Sequence, residues 1–401
     1  MARRKIKINR FLPYSRQFID EEDIRVVSNV LKENLITQGP KIASFEKSFA
    51  KYVGSKFAVA CATGTAALHL SCQALKLGQG NNLLTSPITF IASANCAQFV
   101  GADTHFADID SKSYCISPTS LEKELKKKKI DIVVVVHMSG HSANLEEIYK
   151  LKKKYDFKII EDACHALGGF YKKHRIGSCY YSDISTFSFH PVKSITSGEG
   201  GMITTNNKKI YESLLKFRTH GIHKNQNDFL NHEMAFDNKG KVNSWYYEMP
   251  ELGFNYRITD IQAALGESQL KKIEKFIKKR RKIAKTYNLG FSKNDLITIP
   301  SESSEVTHSY HLYTILINFE KLGKSRNTVM QELKNNKIGT QVLYIPIHLQ
   351  PYYLEKYGFK NGDFPIAEKY YKNCLSIPIF PYLKDHEVDH VINKINSIIS
   401  L

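Results

Sequence analysis

Several residues whose side chains could bind or transfer chemical groups follow predicted strands of this chain. Gly64 and Thr65 lie between the predicted strand KFAVACA and the predicted helix AALHLSCQAL. Asp162 ends the predicted strand FKIIED, while Ser188 and Lys193 lie at and just after the end of DISTFSF. Ligands of parallel sheets bind at the carboxyl ends of the strands, so we expect these residues to lie near one another.

Each of these residues also has an ordinary structural interpretation. Asp162 could be a cap at a strand end, and Lys193 could be an exposed loop lysine. Together they match the needs of pyridoxal phosphate, which are a lysine for a Schiff base, a carboxylate beside the pyridinium nitrogen, and N–H and hydroxyl groups on the phosphate. A glycine before a helix N-terminus allows close approach to a phosphate and supplies free N–H groups. The lysine could also move a proton between the donor's Cα and the cofactor's C4′.

Strand and helix patterns alternate from about residue 20 to residue 215. Near-continuous apolar runs such as IDIVVVV are typical of strands buried on both faces of a parallel sheet. From about residue 260 the pattern changes to long basic helices, a β-rich segment HSYHLYTILINF and a further helix. We predict an α/β protein with a large domain of mostly parallel sheet between helices (residues 1–260) and a smaller α+β domain (residues 261–401). His308 and His311 are expected on a strand of the smaller domain.

Composition excludes several classes of protein. The 401-residue chain is 42% hydrophobic, which is too apolar for a disordered protein. Its longest apolar stretch, around Ile132 to Val136, is far shorter than the ~20 residues that a membrane-spanning helix needs. The seven cysteines contain no CxxC pair, which predicts free thiols in a reducing compartment. No apolar core follows the basic N-terminal residues, so we expect no signal peptide and a cytoplasmic protein.

The net charge of +18 raises the question of a nucleic-acid partner. The lysine runs lie beside apolar residues at helical spacing, and no helix-turn-helix, zinc-finger or RNA-binding motif is present, so we interpret them as solvated helix faces. The segment HMSGH lacks the glutamate of a metalloprotease motif, and no metal site is predicted. Cys164 is expected to pack as a small apolar side chain. The absence of GxGxxG removes the main support for a dinucleotide-dependent dehydrogenase.

A family resemblance extends in order over nearly the whole chain. The blocks TGTAALHL, SPITFIASANC, EDACHALGG, STFSFHPVKSITSGEGGMITTN, RTHGI and LGFNYRITDIQAALG resemble the sugar aminotransferases of the DegT/DnrJ/EryC1/StrS family. The resemblance implies a fold type I, pyridoxal-phosphate-dependent aminotransferase that forms a homodimer with shared active sites. It implies these site residues: Lys193 as the Schiff-base lysine, Asp162 at the pyridine nitrogen, His165 near the cofactor's phenolic oxygen, Phe90 stacked on the ring, Gly64, Thr65 and Ser188 at the phosphate, and Asn255 from the other subunit.

Two further stretches narrow the implied substrate. LPYSRQFIDEEDIRVVSNVLKENLITQGP and SWYYEMPELGFNYRITDIQAALG are similar to family members that act in pseudaminic-acid biosynthesis. This similarity implies that L-glutamate donates an amino group to C4 of a UDP-linked 4-keto-6-deoxy-N-acetyl hexose. The implied substrate contacts are Tyr14, Asn34, Leu35, Ile36, Thr37, Thr63, Ser188, Tyr344, Ile345, Pro346 and Ile347.

Other functions stay open at this point. The substrate could be another nucleotide-linked keto sugar, giving a bacillosamine- or perosamine-type product, or amination could occur at C3. The family also contains C3-dehydratases that use pyridoxamine phosphate and carry histidine in place of the lysine, and Lys193 argues against that activity. A regulator that binds the cofactor without catalysis is disfavoured because the lysine, the aspartate and the phosphate loop are all present.

Overall fold

The computed structural model describes Ile8 and residues 10–400. Most of the basic N-terminal stretch, where no signal peptide is predicted, lies outside the described residues. In chain order the α-helices of the described part are α1 (Glu21–Val30), α2 (Pro40–Val53), α3 (Gly64–Ala74), α4 (Ala92–Phe99), α5 (Pro118–Leu125), α6 (Leu145–Tyr155), α7 (Lys208–Arg218), α8 (His232–Ala235), α9 (Asp260–Lys271), α10 (Ile273–Phe291), α11 (Phe319–Leu322), α12 (Arg326–Asn335), α13 (Pro351–Tyr357), α14 (Pro365–Asn373) and α15 (Asp385–Ile398).

A central seven-stranded sheet has the strand order β1-β9-β8-β5-β4-β2-β3. Its strands are β1 (Phe57–Cys61), β2 (Asn82–Thr85), β3 (Asp103–Phe106), β4 (Ile132–Val136), β5 (Lys158–Asp162), β8 (Ile184–Ser188) and β9 (Gly201–Thr205). β3, β2, β4, β5 and β8 pair in parallel, whereas β9 is antiparallel to both β8 and β1. The carboxyl ends of all strands except β9 therefore lie at one edge, and the predicted α/β class with a mostly parallel sheet is confirmed.

The sheet is covered on both faces, which explains the apolar runs of its strands. On β4, Val133 and Val135 pack into one buried cluster, while Ile132, Val134 and Val136 pack into a second cluster on the opposite face. Successive side chains of a strand point to opposite faces, so a strand between two helical layers needs apolar residues at nearly every position.

A separate apolar core, distinct from the two clusters on the faces of the central sheet, lies toward the C-terminus. It combines α10, α12 and α15 with the three-stranded sheet β10 (Ile297–Thr298), β12 (Tyr313–Ile317) and β13 (Cys374–Ile377), and it includes Ile8 and Leu12 from the N-terminal segment. The remaining strands β6 (Phe170–Tyr171), β7 (His174–Arg175) and β11 (Val306–Thr307) form a small third sheet. The domain division at residue 260 stays a prediction. The expectation that His308 and His311 lie on a strand is wrong: both are buried in the irregular segment before β12, which begins only at Tyr313.

No helix among the described residues is both long and apolar enough to cross a membrane. The longest, α10, has 19 residues and alternates a buried apolar stripe with basic positions.

A buried carboxylate joins the N-terminal helix α1 to α9. Asp23 is fully buried, and its side chain accepts hydrogen bonds from Ser268 Oγ (2.6 Å) and Gln269 Nε2 (2.7 Å). Lys272 Nζ lies 2.9 Å from Asp23 Oδ1. Asp23 also closes a capping box with Asp20 at the start of α1, so one side chain both begins the helix and attaches it to α9.

We expect Asp23→Ala to lower the free energy of unfolding by about 3 kcal/mol, because the change leaves buried donors and a half-buried ammonium without their acceptor. The measurement is urea denaturation followed by circular dichroism. Lys282→Ala, which removes an exposed ion pair with Asp385, is the control and should cost less than about 1 kcal/mol. Equal losses in the two variants would contradict the structural role of Asp23.

Candidate active site

A cavity of about 470 Å³ opens at the carboxyl edge of the central sheet. β5 ends there at Asp162 and β8 ends there at Ser188, while α3 begins at Gly64 shortly after β1. The predicted site residues that line the cavity are Tyr14, Thr63, Gly64, Thr65, Phe90, Asp162, His165, Ser188, Lys193 and Tyr344. The tertiary structure thus brings together residues from the N-terminal segment, the sheet and the C-terminal third of the chain.

Asp162 is held by a hydrogen-bond relay from α4. Its Oδ2 accepts from Ser93 Oγ at 2.6 Å, and Ser93 Oγ lies 2.8 Å from Thr89 Oγ1. Its Oδ1 accepts from the backbone N–H of Cys164 at 3.2 Å. These contacts fix the carboxylate orientation at the cavity wall. Sequence reasoning missed Ser93, and the only signal for it was its place within the block SPITFIASANC.

The part of the cavity wall formed by the start of α3 and the end of β8 suits a phosphate. Thr63 caps α3 by accepting from the N–H of Ala66 at 3.0 Å, and the free N–H groups of the first turn begin at Gly64. A Cβ atom built at position 64 would lie 2.7 Å from Cβ of Ser188, so only glycine allows the helix start and the strand end to approach this closely. Ser188 then adds a hydroxyl group beside the helix N-terminus.

Lys193 lies in a loop that is braced at several points. Its N–H donates to the carbonyl of His190 at 2.8 Å, and Ser15 Oγ donates to the carbonyl of Val192 at 2.9 Å. Burial lowers the pKa of the Lys193 ammonium below its usual value, and the nearby Cys164 and Asp162 only partly oppose this. The loop therefore presents an amine that loses its proton more readily than an exposed lysine does.

The buried His165 and the partly buried Tyr344 lie together on the cavity wall. Nε2 of His165 lies 3.2 Å from the Tyr344 hydroxyl, and the His165 ring is 4.4 Å from that of His311. Burial, together with the charge of Lys193, holds the pKa of His165 well below its usual range, and burial raises the pKa of Tyr344. Both groups are therefore neutral near pH 7. Phe90 is half-exposed at the mouth, with its ring 6.0 Å from that of Tyr344.

Other predicted contacts lie outside the cavity of a single chain. Asn255 is exposed, and its backbone bridges to Thr219. Ile345 is exposed, whereas Pro346 and Ile347 are buried, with the N–H of Ile347 donating to the carbonyl of Pro87. In the segment before α2 the predicted contacts are all exposed: Asn34, Leu35, Ile36 and Thr37. The cofactor role of Asn255 and the substrate roles of the other residues stay predictions.

The cavity also contains residues that were not predicted as contacts: Leu68, Thr89, Ala92, Val136, Cys164, His190, Val192, Glu199 and Leu343. Cys164 is partly buried at the cavity wall, and burial raises the pKa of its thiol well above the usual value, so the thiol stays protonated near pH 7. In the described part of the chain, no three histidine, cysteine or acidic side chains are grouped so as to hold a metal ion.

Comparison with known proteins identifies the chemistry of this cavity. The model of the DegT/DnrJ/EryC1/StrS aminotransferase family matches residues 17–396. The chain belongs to this family. Among the relatives of this aminotransferase, the spore coat polysaccharide biosynthesis protein SpsC of Bacillus subtilis is 37% identical over 394 residues, which is 98% of each chain. UDP-4-amino-4,6-dideoxy-N-acetyl-β-L-altrosamine transaminase of Campylobacter jejuni is 35% identical over 393 residues, which is 97% of each chain.

Solved structures support the same assignment. Helicobacter pylori PseC is an aminotransferase involved in the biosynthesis of pseudoaminic acid. Its structure matches that of the present chain with a TM-score of 0.88 and 29% identity, over 97% of this chain and 99% of the PseC chain. Spr1654 of Streptococcus pneumoniae, solved in PMP and PLP forms, matches with TM-scores of 0.87 and 0.86 at 27% identity over at least 96% of this chain and 98% of each of those chains. The protein is a pyridoxal-phosphate-dependent sugar aminotransferase.

The side chains present fit this cofactor. A carboxylate, an amine of lowered pKa and a helix N-terminus with an adjacent hydroxyl lie around one cavity, and Gly64 leaves room where any other side chain would clash with Ser188. A purely structural role would not explain why these polar groups lie around one cavity.

The lowered pKa of Lys193 predicts a pH dependence for cofactor capture. Only the neutral amine attacks an aldehyde, and a lowered pKa makes the neutral amine available at lower pH. We expect the rate of covalent capture of pyridoxal phosphate by the apoprotein to reach half its maximum below pH 10.5, the ordinary pKa of lysine. The measurement is borohydride trapping and peptide mass spectrometry over a pH series. Capture at exposed Lys129 is the internal comparison, and identical profiles at both lysines would refute the expectation.

Proposed function

We propose that this aminotransferase transfers the amino group of L-glutamate to C4 of UDP-2-acetamido-2,6-dideoxy-β-L-arabino-hex-4-ulose, a step of pseudaminic-acid biosynthesis. The observation that carries the proposal is the similarity to the Campylobacter jejuni transaminase, because it extends over 97% of both chains at 35% identity. The likeness to Helicobacter pylori PseC supports the same substrate.

Pyridoxal phosphate, when bound, supplies an electron sink for the carbon–hydrogen bond that must break. In the proposed site Asp162 holds a proton at the pyridine nitrogen, and Ser93 keeps the carboxylate oriented for this task. Gly64, Thr65 and Ser188 bind the phosphate. Phe90 covers the ring, and His165 contacts the phenolic oxygen.

Lys193 has two proposed tasks. Its amine holds the cofactor between turnovers and then, once released, moves a proton between the donor's Cα and C4′ of the cofactor. The lowered pKa suits both tasks, because each begins from the neutral amine. Tyr14 and Tyr344 line the same cavity and are proposed to contact the nucleotide sugar together with Thr63.

The cofactor contact Asn255 and the substrate contacts before α2 are proposed to come from a second copy of the chain. Asn255 and the segment from Asn34 to Thr37 lie outside the cavity of their own subunit, and a backbone bridge between Thr37 and Thr259 places the two segments side by side. Large apolar side chains nearby along the chain are exposed: Leu35 52%, Ile36 47%, Leu230 77%, Trp245 73%, Met249 56% and Leu252 76%. Exposed apolar side chains in such number indicate an interface, which supports the homodimer with shared sites.

A second candidate is an aminotransferase for a different nucleotide-linked keto sugar, including amination at C3. The similarity to SpsC supports this candidate, because that relative is named for spore coat polysaccharide biosynthesis and is 37% identical to this chain, against 35% for the Campylobacter jejuni transaminase. We also propose a cytoplasmic location, which is supported by seven free cysteines.

The half-reactions separate these candidates. The holoenzyme is treated with L-glutamate, freed of excess donor, and then mixed with one UDP-linked keto sugar at a time while the cofactor absorbance is followed. Recovery of the starting spectrum with the β-L-arabino 4-keto sugar alone is expected. Recovery only with its D-xylo epimer or with a 3-keto sugar would replace the proposed substrate, and no response to glutamate would overturn the donor.

Variants of cavity residues complete this experiment. Lys193→Ala should lower the rate of the glutamate half-reaction by at least about 1,000-fold, and Asp162→Asn by about 100-fold while cofactor stays bound. Cys164 lines the same cavity and has no proposed role. The rate of the Cys164→Ala variant should therefore stay within about threefold of the wild-type rate, because the change only slightly repacks the cavity wall. A Lys193→Ala variant that keeps the wild-type rate of the glutamate half-reaction would contradict the proposed role of Lys193.

The proposed dimer is tested by light scattering. Trp245→Glu should shift the protein toward the monomer and lower activity, because it places a charge within a buried apolar interface. Tyr180→Glu is the matched control, since Tyr180 is 58% exposed and lies outside the segments named above. A monomeric and fully active wild-type protein would contradict the shared site.

A further inference from the structure

Glu161, the residue before Asp162, is a buried carboxylate on the other side of the sheet. Successive residues of β5 face opposite sides, so Asp162 faces the cavity while Glu161 faces the layer that contains Val135 and Ile159. Glu161 is only 2% exposed. Burying a carboxylate costs free energy unless hydrogen bonds replace those that it made to water, so Glu161 needs donors within the protein.

Three donors surround the Glu161 carboxylate. Nε2 of His137 lies 2.8 Å from Oε2, Ser185 Oγ donates to Oε1 at 3.2 Å, and Ser182 Oγ donates to the same oxygen. Within the described residues, no lysine or arginine forms an ion pair with this carboxylate. Its hydrogen bonding therefore rests on these three side chains.

His137 joins Glu161 to the backbone of Asp162. Nδ1 of His137 accepts the N–H of Ala143 at 3.2 Å, so the ring proton lies on Nε2 and points to Glu161. The backbone N–H of His137 donates to the carbonyl of Asp162 at 3.1 Å. One residue after β4 thus holds both the side chain of Glu161 and the main chain of its neighbour.

Ser182 lies two residues before β8 and Ser185 is its second residue, and this strand ends at Ser188 and continues into the Lys193 loop. Glu161 pairs directly with Ser185 across the parallel β5–β8 ladder, as Asp162 pairs with Thr186. The carboxylate therefore connects three neighbouring strands, β4, β5 and β8, whose ends carry the cavity residues.

We propose that Glu161 is a positioning residue of the cofactor site: together with His137, Ser182 and Ser185 it sets the spacing of the strand ends that present Asp162 and Ser188 to pyridoxal phosphate. The inference rests on the proposed cofactor roles of Asp162 and Ser188. Its test measures cofactor binding alone, so an error in the proposed sugar or amino donor leaves the result unchanged.

The test compares Glu161→Gln with Asp183→Asn. Glutamine has the shape of glutamate but places an N–H₂ group where an acceptor is needed, so at least one of the three donors loses its partner. Asp183 provides a matched control because its Oδ2 accepts from the N–H of Ile159 and from Lys152 Nζ, at 2.8 and 2.7 Å. Asp183 directly precedes β8, so this contact joins β5 and β8 at the end far from the cavity.

For each full-length apoprotein we would measure the Tm and the Kd for pyridoxal phosphate, and for each holoprotein the pH titration of the cofactor absorbance. Both variants should lower the Tm. Only Glu161→Gln should raise the Kd by about tenfold and shift the titration, because only it changes the spacing beside Asp162. A Kd and a titration within about twofold of those of Asp183→Asn would overturn the proposal.

A milder variant keeps the proposal testable if Glu161→Gln does not fold. Ser182→Ala removes one donor from the Glu161 carboxylate and no group from the cavity. It should raise the Kd for pyridoxal phosphate about fivefold, in line with the loss of one hydrogen bond. An unchanged Kd together with an unchanged absorbance titration would also overturn the role of Glu161.

Discussion

The parallel pairing of β4, β5 and β8 is the constraint on which the active site depends. Parallel strands end at a common edge. β5 and β8 end at the cavity residues Asp162 and Ser188, and His137, which follows β4, donates its backbone N–H to the carbonyl of Asp162. Asp162 and Ser188 are 26 residues apart in number but lie at adjacent strand ends around one cavity. The two helical layers that bury the sheet leave this edge as the place where polar side chains can converge.

Burial then determines the protonation of the cavity. Lys193 and His165 both have lowered pKa values because protein replaces water around them, and His165 is further affected by the charge of Lys193. Tyr344 stays protonated for the same reason. An amine of lowered pKa near a hydrogen-bonded carboxylate is the combination that amino transfer needs, and burial produces that lowered pKa.

The N-terminal segment connects the two halves of the molecule at the site. Leu12 packs in the C-terminal core, Tyr14 lines the cavity, and Ser15 donates to the loop that carries Lys193. The carbonyl of Tyr14 also accepts from the N–H of Ile379. The cavity is thus closed by residues from both ends of the chain, which ties its shape to the packing of the whole molecule.

Residue type and local pattern were sufficient to predict much of this protein. The seven main strands follow from apolar runs with both faces buried, and Asp162 and Lys193 follow from their places after such strands. The predicted substrate contacts near Asn34 and the predicted cofactor contact Asn255 depend on a family resemblance, and a single chain does not bring them to the cavity. Helix α4, the irregular segment around His308 and His311, and the Ser93 contact to Asp162 have no comparable local signal. They are decided by packing between residues far apart in sequence: Ser93 and Asp162 are separated by 69 positions, and Tyr344 and His165 by 179.

The sequence by itself determined the strands and the identity of the reactive groups, because hydrophobic periodicity and chemical type are local. Only the tertiary structure decided which hydrogen bonds orient those groups and how far burial shifts their pKa values, because both depend on what the rest of the chain places around them.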